Sequence, residues 1–275
     1  MSRMISDLLF VAGAGVFATA LRNYGHPVMF RLGTFGLVVT SFLAGWLLGG
    51  SVSLGVVFAS TWFLMPWVEI LTSVRKMRLP LKRSLEKCPP PPHSRFPGFE
   101  ELSDEMESAG FEYVEDVDWK HDGARHFYRL FHNSKKRTTG AICLVEQDQY
   151  SFFYSTFSSR AIDGRHFLTW NYPFSQTMHF LPGTQLNRVE NDFDIEELEA
   201  SHQTFLSMQE LQVHDLAELQ SESLREQTER DLHELLEHNI ARGILTRDGA
   251  EMTRYSVRGM FFLWTQFLRE FVRFS

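Results

Sequence analysis

Apolar positions recur along this chain in three different rhythms, and each predicts a different kind of element. The first is unbroken. Between Arg31 and Glu69 there is no Asp, Glu, Lys or Arg. Leu32 to Ser51 and Val52 to Leu71 each approach the ~20 apolar residues that cross a hydrocarbon layer of ~30 Å. The uncharged Gly49-Gly50-Ser51 between them predicts a tight connection, and therefore an antiparallel membrane hairpin, because a single helix of that combined length exceeds an ordinary bilayer. An earlier run, Leu8 to Leu21, is shorter and rich in small residues. It predicts a third, shorter membrane helix, with a helix lying in the interface as the alternative. Ala18-Thr19-Ala20 at its end imitates a signal peptidase site, but Arg3 in the preceding segment is offset by Asp7, which weakens that reading.

Within the hairpin, Gly45 and Gly49 are one helical turn apart, so two small residues share a face and another helix can approach closely. Pro66, between Trp62 and Trp67, predicts a kink or an end to the second span at a level where tryptophans favour the membrane surface.

The second rhythm follows a spacer. Cys88-Pro89-Pro90-Pro91-Pro92-His93 predicts extended polyproline geometry, and a short helix from Phe99 to Ala109 should end at Gly110. From Phe111 to Phe180, β-branched and aromatic runs alternate with turn signals at Asp122-Gly123, Asn133 to Lys136 and Asp163-Gly164. That spacing predicts an antiparallel sheet of five strands. Asp194 is placed to cap a helix carrying Ile195, Leu198, Phe205 and Leu206. The expected fold class is α+β: a membrane anchor over residues 1–72, a basic and proline-rich linker over 73–97, a sheet domain over 98–215 and a helical region over 216–275.

The third rhythm is helical. Leu216 to Leu245 reads as a long polar helix with Leu232, Leu235, Leu236 and Ile240 on one face. In the last stretch Met260, Phe261, Trp264, Phe267, Leu268 and Phe271 fall together, with Gln266, Arg269, Glu270 and Arg273 opposite. An aromatic amphipathic helix of this kind suits the membrane interface or a groove on a partner; packing on its own domain is the alternative.

Charge sets the orientation. Arg75, Lys76, Arg78, Lys82 and Arg83 follow the second long span, Arg22 and Arg31 precede the first, and the tip between them has no basic residue. Lys and Arg are retained on the cytoplasmic side, so the sheet domain is expected there, as in a multi-pass protein of a bacterial inner membrane. A net charge of -7 with scattered basic residues argues against nucleic acid. Cys88 and Cys143 are the two cysteines, far apart and outside any C-x-x-C, which fits a reducing compartment.

Chemistry is sparse. His233 and His238 flank a Glu-bearing stretch, but they lie five apart, about 140° around a helix, where a metalloprotease helix needs four. His121, His126 and His132 share a hairpin with no carboxylate spaced to complete a metal set. No G-x-S-x-G, G-x-G-x-x-G or P-loop signature occurs. The segment from Asp163 to Asn171, a D-G turn feeding a strand that ends Thr169-Trp170-Asn171, followed later by His202 in a helix, resembles part of uncharacterised bacterial membrane-anchored proteins, and that resemblance implies no activity. No catalytic, metal or cofactor residue is therefore expected. The reading is a non-catalytic accessory or scaffold subunit of a larger membrane assembly, with other integral membrane subunits and the bilayer as partners. A ligand- or lipid-sensing module using the aromatic sheet as a pocket wall is the alternative, ahead of an enzyme with an unmarked site. Glu69 is the one ionisable group in the two long spans, near an end, which leaves no mid-membrane carboxylate for ion transport.

Overall fold

The computed structural model describes residues 2–273 apart from 25, 94, 95, 97, 148, 149, 190–193 and 220–222. Three apolar helices come first: α1 (Ser2–Arg22), α2 (Pro27–Leu43), which runs into a π-helical turn at Ala44–Leu48, and α3 (Val52–Thr72). Each is long and apolar enough to span a membrane. The first is a full-length helix and not the short element expected, because one acid, Asp7, does not interrupt backbone hydrogen bonding. Nor does Pro66 end α3, which continues six residues beyond it.

Glycine sets how closely these helices meet. A Cβ on Gly45 would lie 2.5 Å from the Leu54 carbonyl oxygen and 2.8 Å from Gly55 Cα, and one on Gly49 would lie 2.8 Å from the Leu54 side chain. The helix that approaches this pair of glycines is thus the chain's own α3. The π turn, which inserts an extra residue into the helical repeat, sits at the same crossing. Gly33 plays the matching part between α1 and α2, where a Cβ would meet the Ala18 carbonyl oxygen at 2.6 Å.

After α3 the chain forms two short strands, β1 (Leu79–Pro80) and β2 (Glu86–Lys87), both ahead of the Cys88 to His93 stretch. Helix α4 (Gly98–Ser108) ends as expected at Gly110, whose φ of +85° suits glycine. Strands β3 (Glu112–His121), β4 (Ala124–Asn133), β5 (Thr138–Gln147), β6 (Tyr150–Arg160) and β7 (His166–Trp170) form the expected antiparallel succession. Asp122-Gly123, both at positive φ, close the first hairpin as a type I′ turn requires. The sheet is larger and mixed, because β2 adds one edge and β8 (Thr184–Arg188) pairs parallel to β7 at the other, giving the order β2-β3-β4-β5-β6-β7-β8.

Helix α5 (Ile195–Met208) starts at Asp194, whose carboxylate accepts the Glu197 N–H at 2.7 Å. It lies with α4 on one sheet face over Phe99, Met106, Phe111, Phe127, Phe131, Ile142, Leu144 and Phe157. Full burial of such side chains contributes roughly 1.5–3 kcal/mol each. Arg129 clamps this layer: its guanidinium donates twice to Asp116, at 2.8 Å, and once to Ser103 of α4, at 2.9 Å. Helix α6 (Leu224–Ala241) is shorter than the Leu216 to Leu245 expected, since Leu216 is held instead in a bridge to Ala161. Strands β9 (Leu245–Arg247) and β10 (Met252–Tyr255) make a small sheet with β1, and helix α7 (Val257–Arg273) follows.

Candidate functional site

The last turns of α3 enter a core shared with α6, α7 and the small sheet. This core contains Ile70 from the last turns of α3, Leu236 from α6, Ile244 and Leu245 beside β9, Tyr255 from β10 and Leu263 from α7. Ile70 has no exposed surface at all. The first turn of α7 is fixed by Ser256, whose hydroxyl donates to the Gly243 carbonyl and accepts the Gly259 N–H at 3.0 Å. Gly259 sits directly on the Ile244 carbonyl oxygen, with no room for a methyl group.

From that anchor α7 runs alongside α3. Trp264 donates its indole N–H to the Phe63 carbonyl oxygen at 2.8 Å. Trp67 packs edge-on to Phe261 with ring centroids 4.9 Å apart, and near Trp264 at 6.1 Å. The innermost stripe of α7 comprises Gly259, Leu263 and Gln266, whereas the expected aromatic face is turned sideways: Phe261 is 52% and Phe267 40% exposed. The side chain of Phe271 lies outside the described residues.

Between these helices a cleft of about 420 Å³ is lined by Trp62, Met65, Pro66 and Glu69 of α3, with Arg22 at the end of α1 and Phe267, Leu268 and Glu270 of α7. Spacings of three, four and seven residues place the α3 contributors on one stripe. Glu270 also accepts from Arg188 at 3.0 Å and from the Ser175 hydroxyl.

The sheet face opposite α4 and α5 carries the aromatic wall. Trp119 stacks on His126 with centroids 4.3 Å apart, and the Arg83 guanidinium lies over Trp119 at 4.6 Å. Burial, with Arg83 adding to it, holds His126 near a pKa of about 4. Tyr154 packs against Trp170 and Tyr172. Cys143, beneath it, is pushed by burial up to about 12, so its thiol is unreactive.

Two histidine–hydroxyl groups mark the rim and the core. Ser158 lies 2.6 Å from His166 Nε2, and Arg160 beside them pairs with both oxygens of Asp231 at 2.6 Å. Burial and the Arg160 charge bring His166 to about 4, a neutral ring. His202, with no exposed surface, bridges Ser159 at 3.1 Å and Thr169 at 2.9 Å, and Ser159 meets Thr138 at 2.9 Å. Burial holds His202 at about 3. The Asn171 carboxamide oxygen accepts the Ser155 N–H at 2.6 Å. The Thr169-Trp170-Asn171 and His202 pair singled out in the sequence therefore belongs to a polar lock between β6, β7 and α5. The Thr169, Asn171 and His202 side chains in it are buried.

The remaining histidines are separate. His233 Nδ1 meets the Leu81 carbonyl oxygen at 3.1 Å, whereas His238 lies further along α6. Among the described residues no three His, Cys, Asp or Glu side chains converge as a metal site would require. The Trp264 bond and the cleft were missed in the sequence, because both depend on where α7 lies against α3, and Trp264 and Phe63 are 201 residues apart in the chain. Comparison with protein-family models, curated proteins and solved structures gives no match.

Proposed function

We propose that the protein is a non-catalytic accessory or scaffold subunit of a larger membrane assembly, in a bacterial inner membrane, with α1, α2 and α3 crossing the bilayer and the sheet domain held on the cytoplasmic side. The shared core around Ile70 carries this reading. A flexible tether would only keep a domain near a membrane, whereas burial of the α3 end among Leu236, Tyr255 and Leu263 fixes the domain's orientation to the helices. Such a joint serves to present surfaces to neighbours at a defined height and angle.

Two further observations support it. The three helices bury only 11%, 17% and 11% of their apolar windows within the chain, leaving a surface that needs lipid or other helices around it. Basic residues lie at the end of the bundle where α1 finishes, α2 begins and α3 enters the domain, which is the cytoplasmic end by charge.

The test has two parts. Ser51→Cys, at the turn between α2 and α3, is expected to react with an impermeant maleimide in intact cells, while Cys88 stays protected. A photoreactive residue at Leu9 or Val57, both exposed on the helices, is expected to give one discrete protein adduct. Labelling of Cys88 from outside would invert the topology, and adducts with lipid alone would remove the partner subunit.

A further inference from the structure

The cleft between α1, α3 and α7 combines features that a lone apolar groove lacks. Its walls, Trp62 and Met65 on one side and Phe267 and Leu268 on the other, are apolar, and its rim carries both signs of charge in Arg22 and Glu69. Glu69 is the one carboxylate between Asp7 and Glu86, and it falls on the cleft stripe of α3. At about 420 Å³ the cleft is within the ~300–1,000 Å³ of ligand sites.

We propose that this cleft holds the headgroup and first acyl carbons of one zwitterionic phospholipid of the phosphatidylethanolamine class. The proposal rests on the membrane reading above and extends it to a chosen lipid. A phosphodiester fits the Arg22 guanidinium as a multidentate acceptor, and a primary ammonium fits Glu69 as a donor. Glu270, the second carboxylate, is matched within the chain by Arg188 at 3.0 Å, so it leaves Glu69 as the counter-charge for the lipid amine. Phosphatidylglycerol has no ammonium to give to Glu69 and would leave that carboxylate without a counter-charge. Phosphatidylcholine has a quaternary ammonium with no N–H to donate. Because α7 forms one wall, the bound lipid would also brace α7 against α3, and so tie the seating of the cytoplasmic domain to the lipid around it.

The experiment uses the full chain reconstituted in nanodiscs of phosphatidylethanolamine, phosphatidylglycerol and phosphatidylcholine in equal parts, released into mild detergent and read by native mass spectrometry for retained lipid. Phosphatidylethanolamine is expected to be retained in preference to the other two. Glu69→Gln, an exposed position that keeps its shape, should lower that preference roughly tenfold, the loss of one charged hydrogen bond. Leu268→Trp, which fills the cleft and leaves the rim charges, should abolish retention of every class. Retention in proportion to supply, or an unchanged preference in Glu69→Gln, overturns the lipid site. Alkaline carbonate extraction separates the two readings: a chain that stays in the membrane yet shows no preference loses only the lipid site, whereas a chain that is extracted loses both.

Discussion

Replacing Trp264 tests whether α7 is truly held by α3. Trp264→Phe keeps most of the ring and removes the donor to the Phe63 carbonyl oxygen, a 2.8 Å bond worth about 1 kcal/mol net. Trp264→Ala removes the ring as well. A fully buried tryptophan costs ~3–5 kcal/mol on truncation; this one is half-buried against Trp67, so about 2 kcal/mol is expected. Local opening of α7 should then rise roughly fivefold in the first variant and thirtyfold in the second, at 1.4 kcal/mol per decade. Native-state hydrogen exchange of residues 262–268 in detergent micelles reads this directly, with β5 amides as the internal standard. Unchanged exchange in Trp264→Ala would show that α7 is held elsewhere. Equal acceleration in β5 would show that the loss is global and that no separate α3–α7 joint exists.

Other expectations follow from the same packing. Gly45→Val should destabilise the α2–α3 crossing by ~1–3 kcal/mol, since even a Cβ would lie 2.5 Å from the Leu54 carbonyl oxygen; thermal unfolding in detergent measures it. His202→Leu leaves Ser159 and Thr169 without their shared partner and should cost ~2–4 kcal/mol, seen as a lower midpoint in urea. Arg129→Met strands the Asp116 carboxylate, whose side chain is 4% exposed, and should cost ~3–5 kcal/mol. Acid should weaken the sheet domain earlier than carboxylate titration alone would. His126 and His166 are held at about 4 and His202 at about 3, below their ordinary value of 6.5, so the unfolded chain binds more protons across that interval. The stability is present above pH ~6.5 and is lost as pH falls toward 4; a midpoint flat over that range would refute the neutral assignments.

The parts of this fold that were legible in the sequence are those fixed by local chemistry. Absence of charge from Leu32 to Val68 marked two helices, and Asp122-Gly123, Gly110 and Asp194 each did the turn or capping work their side chains suggest. Position in the fold was harder to read. Thr184 to Arg188 has no apolar alternation, and it becomes β8 only because the chain returns parallel to β7. β1 and β2 are two residues long and exist through partners far along the chain. The buried stripe of α7 runs through Leu263 and Gln266, the latter on the face read from the sequence as polar, because that stripe is set by where α3 and β10 stand and not by the helix's own apolar count. Gly45 and Gly49 fall on one face by spacing alone, and only the tertiary structure shows that α3 of the same chain lies against it.

The long sequence separation of the joint gives the molecule a timetable. Trp264 and Phe63 lie 201 residues apart, and Thr253 and Leu79 lie 174 apart. At about 5–20 residues per second of synthesis, α3 waits on the order of 10–40 s for the helix that grips it. Throughout that interval the carbonyls around Pro66 and the surface of Ile70 have no final covering. A chain cut short before Val257 has α1, α2 and α3 made and the joint around Ile70 still open.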